Sequence, residues 1–240
     1  MAEGDVLAAI DPTAIQTTPR TMIFRFKNER KAYKTPSTQR EFHLMQAAGD
    51  CAVNVHGRSF TRDSNGEVRM MGIIMDLEQP FVPSAIGVDY RFDCLEEMES
   101  VIHKLHEKGI IHGDVKPSNF VLCSGWKLRL CDFADAMRVR ENRRETKWGG
   151  GRTIQYLAPS RLRDWPVKRT PPPRRMDDFY ALGLSIWELY TGKEPHNDIE
   201  DQLNVMWAVK NGKTVDLDEV KDQAVRDIIR GYLRCGGAKV

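Results

Sequence analysis

A chain of 240 residues is long enough to bury a sizeable core, as one domain or as a two-lobed unit. Its 41% hydrophobic and 29% charged content is ordinary for a globular protein, which excludes wholesale disorder and fibrous repeats, and no apolar run approaches the length of a membrane span. Net charge is +2, yet twelve Lys/Arg against three acids give residues 138–175 a net +9 and leave about −7 for the rest, so one face is expected to attract acidic partners.

Residues 1–20, with Pro12, Pro19 and a Thr/Gln run, show little periodicity and are expected to form an irregular N-terminal arm. No basic segment followed by an apolar one begins at Met1, so no secretory signal is expected and a cytoplasmic or nuclear location is the default. Residues 21–26 and 31–35 alternate as strands about the polar turn 27–30. Residues 39–49 read as a short helix stopped by Gly49. Residues 54–61 and 68–77 read as strands about Asp63-Ser64-Asn65-Gly66, a strong hairpin signal. The run 92–108 carries Leu95, Met98, Ile102 and Leu105 at helical spacing, with Asp93 as a candidate cap, Glu96 three residues on, and Gly109 as the stop. Residues 120–123 and 127–131 predict a tight hairpin around Ser124-Gly125-Trp126. The run 176–190 is apolar nearly all round and predicts a buried central helix; further helices are expected at 198–210 and 218–233. The five cysteines are scattered with no C-x-x-C pair, so buried free thiols are expected and a zinc site is not.

The most informative stretch is His112-Gly113-Asp114-Val115-Lys116-Pro117-Ser118-Asn119, which sets an acid, a lysine and an amide at fixed spacing. Phosphoryl transfer needs a group to orient the incoming hydroxyl, a cation for the migrating charge, and oxygen ligands for magnesium. A solvated turn would use the same residue types. What separates the two readings is order: Asp132-Phe133-Ala134, then Thr153-Ile154-Gln155-Tyr156-Leu157-Ala158-Pro159-Ser160, then Asp178-Phe179-Tyr180-Ala181-Leu182-Gly183 follow downstream. With these four motifs in sequence, residues 95–192 resemble the eukaryotic protein kinases.

The resemblance implies an α+β, bilobal fold: a reduced β-rich small lobe over 21–78 and a mainly helical large lobe over 79–240. It implies ATP and Mg2+ as cofactors, with Asp114, Lys116 and Thr153 as catalytic residues and Asn119 and Asp132 as metal ligands. Lys34, in Ala32-Tyr33-Lys34, would meet the phosphates and be held by Glu41, with Lys27 as runner-up. Met75 would lie behind the adenine, and the backbone of Asp76, Leu77 and Glu78 would bind its edge. Asp178 would tie down the catalytic-loop backbone.

Several departures mark the chain. No G-x-G-x-x-G loop precedes the first hairpin, where Gln16-Thr17-Thr18-Pro19-Arg20-Thr21 stands instead. Gly113 replaces an arginine that senses phosphate on the activation segment in the family, Ala134 replaces a glycine, and Ser160 replaces an anchoring glutamate, for which compensation is expected nearby. The leading expectation is a minimal serine/threonine protein kinase acting on acidic protein substrates. The alternative is a pseudokinase serving as a binding or scaffold module; third is a small-molecule kinase, since H-G-D also occurs in aminoglycoside phosphotransferases. Neither membrane nor nucleic acid is expected as a partner.

Overall fold

The structure is a computed structural model that describes residues 1–18, 20–141, 146–147, 153–163, 169–238 and 240. The basic stretch 138–175 lies partly outside the described residues, Arg143, Arg144, Arg152 and Lys168 included. In chain order the first elements are α1 Glu3–Ala9, β1 Ile10–Thr17, β2 Met22–Phe26, β3 Lys31–Thr35, α2 Gln39–Ala48, β4 Val55–Arg62, β5 Val68–Asp76 and β6 Gln79–Pro80. There follow α3 Arg91–Glu107, β7 Ile110–Ile111, β8 Phe120–Cys123, β9 Lys127–Leu130, β10 Met137–Arg138 and β11 Thr146–Lys147. The chain continues with α4 Pro159–Leu162, β12 Arg169–Thr170, α5 Arg175–Thr191, α6 Gln202–Lys210 and α7 Gln223–Cys235. No helix among the described residues is long and apolar enough to cross a membrane.

The chain divides into two compact units, Met1–Gln79 with Val121–Ala134, and Pro80–Phe120 with Asp135–Val240. The first is built on an antiparallel sheet of order β1-β2-β3-β5-β4. Strand β3 is buried on both faces, one of which carries Tyr33, 1% exposed, with its hydroxyl 2.6 Å from Ser59 Oγ. The ring crosses β5 at Gly72, where a Cβ would stand 2.3 Å from it, so only glycine fits there. The β8–β9 hairpin groups with this first unit, although the sequence placed it with the helical part.

The first seventeen residues, expected to be irregular, form α1 and β1. Val6 and Ile10 enter the cluster of Phe26, Tyr33 and Ile74. Each such burial stabilises by about 1.5–3 kcal/mol, and pairing of β1 with β2 together with the Lys27 N–Ala9 O and Phe60 N–Met1 O bonds completes the ordering of a segment whose remaining residues are mostly exposed. Thr38 caps α2 by accepting from Glu41 N at 3.1 Å, and Phe42, Leu44, Met45 and Ala48 form its buried face. Beyond α2, Val53 N donates to Leu130 O at 2.9 Å, fastening the helix exit to β9.

The second unit is organised by α5, which is buried nearly all round and packs against α3 and α7. A smaller cluster, Leu157, Leu162, Val205, Met206 and Val209, joins α6 to the loop before α4. Asp93 does not cap α3: the helix starts at Arg91, and Asp93 lies in its first turn. Helices α6 and α7 start later than periodicity suggests because Asp201 and Asp222 cap them, accepting from Leu203 N and Ala224 N. Cys51, Cys94 and Cys123 are buried free thiols, whereas Cys131 is half-buried and Cys235 exposed.

Candidate active site

In the first unit, strand β3 turns Lys34 inward to 2% exposure, and α2 brings Glu41 to it from seven residues on. Lys34 Nζ donates to Glu41 Oε1 and, at 2.6 Å, to Asp132 Oδ1. Burial alone would lower the Lys34 ammonium, but the Asp132 and Glu41 carboxylates override it and hold the group above its ordinary value. Burial raises Glu41 against the pull of Lys34. The result is a fixed cation beside a carboxylate, Asp132, whose side chain stays 34% exposed. Lys27 donates instead to Ala8 O at 3.0 Å, which leaves Lys34 as the phosphate-facing candidate.

Met75 is buried on β5, in register with Ala32. The Asp76 carboxylate takes His56 Nε2 at 2.5 Å and Asn54 Nδ2 at 2.8 Å; burial pulls its pKa up, and these two bonds more than reverse that. The Asp76 amide donates to Asn54 O and the Leu77 amide to Arg30 O, so both are engaged in the fold. Glu78 lies beside Cys123, whose thiol burial and that carboxylate push up to about 11. Between β1 and β2, where phosphate-binding glycines were absent, the Thr18 hydroxyl accepts from Arg20 N at 3.3 Å and Thr21 N at 3.0 Å. Those two amides are satisfied within the turn.

In the second unit, the catalytic-loop residues converge. Asp114 Oδ2 accepts from Lys116 Nζ at 3.0 Å and Asn119 Nδ2 at 3.0 Å, and Asn119 Nδ2 also reaches Asp114 O at 2.7 Å. Lys116 Nζ donates in turn to Thr153 Oγ1. Asp114, Lys116, Asn119 and Thr153 thus form one connected group. The loop is held from behind by Asp178, 1% exposed, whose Oδ2 takes His112 N and His106 Nε2 and whose Oδ1 takes Gly113 N, all at 2.8 Å. His106 was not foreseen, because its only local signal was membership of the apolar face of α3.

Gly113 has φ +80°, and a Cβ there would stand 2.9 Å from Asp135 O and 3.0 Å from Pro173 Cγ. This position has been rebuilt around glycine, so the missing arginine could not be restored without moving Pro173. The expected compensation at Ser160 is Asp177. Asp177 Oδ1 accepts from Ser160 Oγ at 2.6 Å, and its Oδ2 lies 3.9 Å from Arg161 Nη1, with both charged side chains buried. Asp177 carries no local sequence signal apart from being next to Asp178. Tyr156 donates its hydroxyl to Glu188, and burial pushes that carboxyl up to about 7.

The donors suit a nucleotide and a small hard cation. The buried ammonium of Lys34 suits a phosphate oxygen; Asp132 in the first unit and, separately, the Asn119 carbonyl in the second are each oxygen donors of the kind magnesium takes. Among the described residues no cluster of three or more His, Cys, Asp or Glu forms an all-protein metal cage.

A sequence model of the protein kinase domain matches residues 25–235. The chain is 28% identical over 148 residues to human receptor-interacting serine/threonine-protein kinase 1, covering 56% of this chain and 21% of that protein. It is 28% identical over 145 residues to dual specificity protein kinase TTK of Mus musculus, covering 56% and 16%. Over 109 residues it is 35% identical to human dual specificity mitogen-activated protein kinase kinase 7, covering 45% and 25%. The chain therefore spans a quarter or less of the length of these relatives. With its α+β architecture, its ordered motifs and this match across most of its length, the chain belongs to the eukaryotic-type protein kinase family.

Proposed function

We propose that the protein transfers the terminal phosphoryl group of ATP to serine or threonine hydroxyls of protein substrates, with Mg2+ as the metal. Bound Mg-ATP would supply the phosphoryl group and a divalent charge to neutralise it. Lys34 would hold phosphate oxygens, and Glu41 keeps its ammonium aimed and charged. Asp132 and Asn119 would hold the metal. Among the described residues Asp114 Oδ1 takes no hydrogen bond, while Oδ2 is fixed by Lys116 and Asn119, so Oδ1 orients the incoming hydroxyl and accepts its proton. Lys116, bridging Asp114 and Thr153, would neutralise the phosphate on the acceptor side. With the Asp76 and Leu77 amides engaged, the adenine edge falls to the Glu78 amide and the strand carbonyls.

The observation that carries this reading is Lys34: a fully buried lysine kept charged by two carboxylates, one of them left part-open. A second reading, a binding module without catalysis, is favoured by the β1–β2 turn, whose amides Thr18 already occupies. A thermal shift titration with Mg-ATP separates them, because a ligand bound only by the native state raises Tm. Catalysis predicts a shift at millimolar Mg-ATP and label transfer from ATP that Asp114→Asn abolishes. No shift supports the silent module, and equal label incorporation by both proteins refutes the enzyme.

A further inference from the structure

The β8–β9 hairpin turns through Ser124-Gly125-Trp126, and that turn carries two costs its fold does not call for. Gly125 has φ +74° and Trp126 φ +61°, so an indole occupies backbone that favours glycine. Trp126 is also 59% exposed, although a ring of that size stabilises most when buried. Strain and exposure meeting at one bulky residue point to a use other than packing. Beside the turn lies a cavity of about 290 Å³, with Arg30, Glu78, Cys123, Ser124, Gly125 and Trp126 in its lining, all of them in the first unit. Among the residues expected to hold the nucleotide, Glu78 borders it, whereas Lys34, Glu41 and Met75 do not. Leu77 N donates to Arg30 O at 3.0 Å, which roots Arg30 beside the strand end that leads to Glu78. Arg30 is exposed, and among the described residues its guanidinium has neither a hydrogen bond nor an ion pair, with Glu78 or any other group.

One cavity therefore carries a charge of each sign, not cancelled against the other, and an aromatic wall. A cation is drawn to the Glu78 carboxylate and to the indole face, and an anion to the planar fork of Arg30. A wholly acidic ligand would meet Glu78 and a wholly basic one Arg30, so the complement is a ligand with both signs. In an extended peptide, side chains two positions apart point the same way and stand about 7 Å from each other, close enough to enter one cavity together. We propose that this cavity docks an extended segment of a partner protein in which a basic and an acidic residue stand two positions apart. The basic side chain lies on the Trp126 indole against Glu78, and the acidic one takes Arg30. This goes beyond the proposed function, since a catalytic chain and a silent binding module would both carry such a site.

The test titrates the full chain, without nucleotide, with three capped peptides: acetyl-Ala-Arg-Ala-Asp-Ala-amide and its counterparts with two Arg or two Asp at the same places. NMR follows the amides of Arg30 and residues 123–126 and the Trp126 indole N–H. The mixed peptide should shift these signals with Kd on the order of 0.1 mM, and each like-charged peptide should bind about tenfold more weakly. Arg30→Glu should invert the order, so that the peptide with two Arg binds best. Trp126→Gly, which suits the left-handed backbone, should weaken the mixed peptide about tenfold while Tm holds or rises. No shift of these signals at about 10 mM peptide overturns the proposal, as do three peptides bound alike or a preference that survives Arg30→Glu. A fall in Tm or a failure to fold on Trp126→Gly overturns it too, since the indole would then be a folding residue. Shifts of the same signals on concentrating the protein alone would put a second copy in the cavity and overturn the peptide as its occupant. None of these measurements involves ATP, so they fail or succeed separately from the Mg-ATP titration.

Discussion

Replacing Asp178 by Asn tests the support under the catalytic loop with a change of almost no volume. The carboxylate is 1% exposed and takes three donors at 2.8 Å: two on Oδ2, from His106 and His112, and one on Oδ1, from Gly113. An amide has one acceptor atom. In its better orientation Asn keeps the His106 and His112 bonds and turns its NH2 against the Gly113 N–H, leaving two donors facing each other away from water. An orphaned buried donor costs about 1–3 kcal/mol, and the remaining bonds lose the strength that a charged acceptor gives. The expected loss is about 3 kcal/mol, which for a chain of this size lowers Tm by about 6–12 °C. Asp178→Ala orphans all three donors and should lose more. Thermal and urea denaturation measure the loss, and amide exchange at His112 and Gly113 locates it. Asp227→Asn, at an exposed pair with Arg230, is the control and should leave the midpoint in place. A loss below about 1 kcal/mol, or unchanged protection of the two loop amides, would refute the role given to Asp178.

Gly113→Arg, which brings back the residue common in the family, should destabilise by about 2–4 kcal/mol through left-handed backbone strain and collision with Pro173 and Asp135 O; an unchanged urea midpoint contradicts this. Glu188 titrates near 7 when folded because of burial, against an ordinary 4.5, so its contribution to stability is complete below about pH 4.5 and is lost as pH rises through 7. Glu188→Gln should therefore gain in Tm over wild type between pH 5 and pH 8, and a gap that stays constant with pH contradicts the assignment. Acidic peptides should compete with substrate better than basic ones, with affinity falling as salt rises, given the +9 carried by residues 138–175; competition indifferent to salt argues against that surface.

What could be read in the sequence was what the chain encodes locally. Asp114, Lys116 and Asn119 lie within six consecutive residues, so their meeting needs only a turn, and alternation puts Lys34 on the face of β3 opposite Tyr33. Glu41 sits one helical turn past a Thr cap. By contrast, Val6 and Ile10 are the two buried residues of α1 and β1, and the rest of the hold comes from the β1–β2 ladder, so the buried positions give no period to detect. The β8–β9 hairpin was visible as a hairpin, but its membership of the first unit depends on Val53 and Leu130, far apart along the chain. Asp177 escaped notice for a related reason: it is a short polar residue whose meaning comes from where Ser160 and the buried Arg161 happen to lie.

The return of residues 121–134 to the first unit has a consequence for how the protein is made. Lys34 waits for a partner 98 residues downstream, so a growing chain cannot finish its leading portion when that portion leaves the ribosome. Until Asp132 arrives, a lysine destined for the interior has, among the described residues, Glu41 alone as counter-ion. Shortened chains ending between residues 79 and 134 should consequently be substrates for chaperones and proteases, and cutting the gene at the boundary nearest its start would not yield a self-sufficient half.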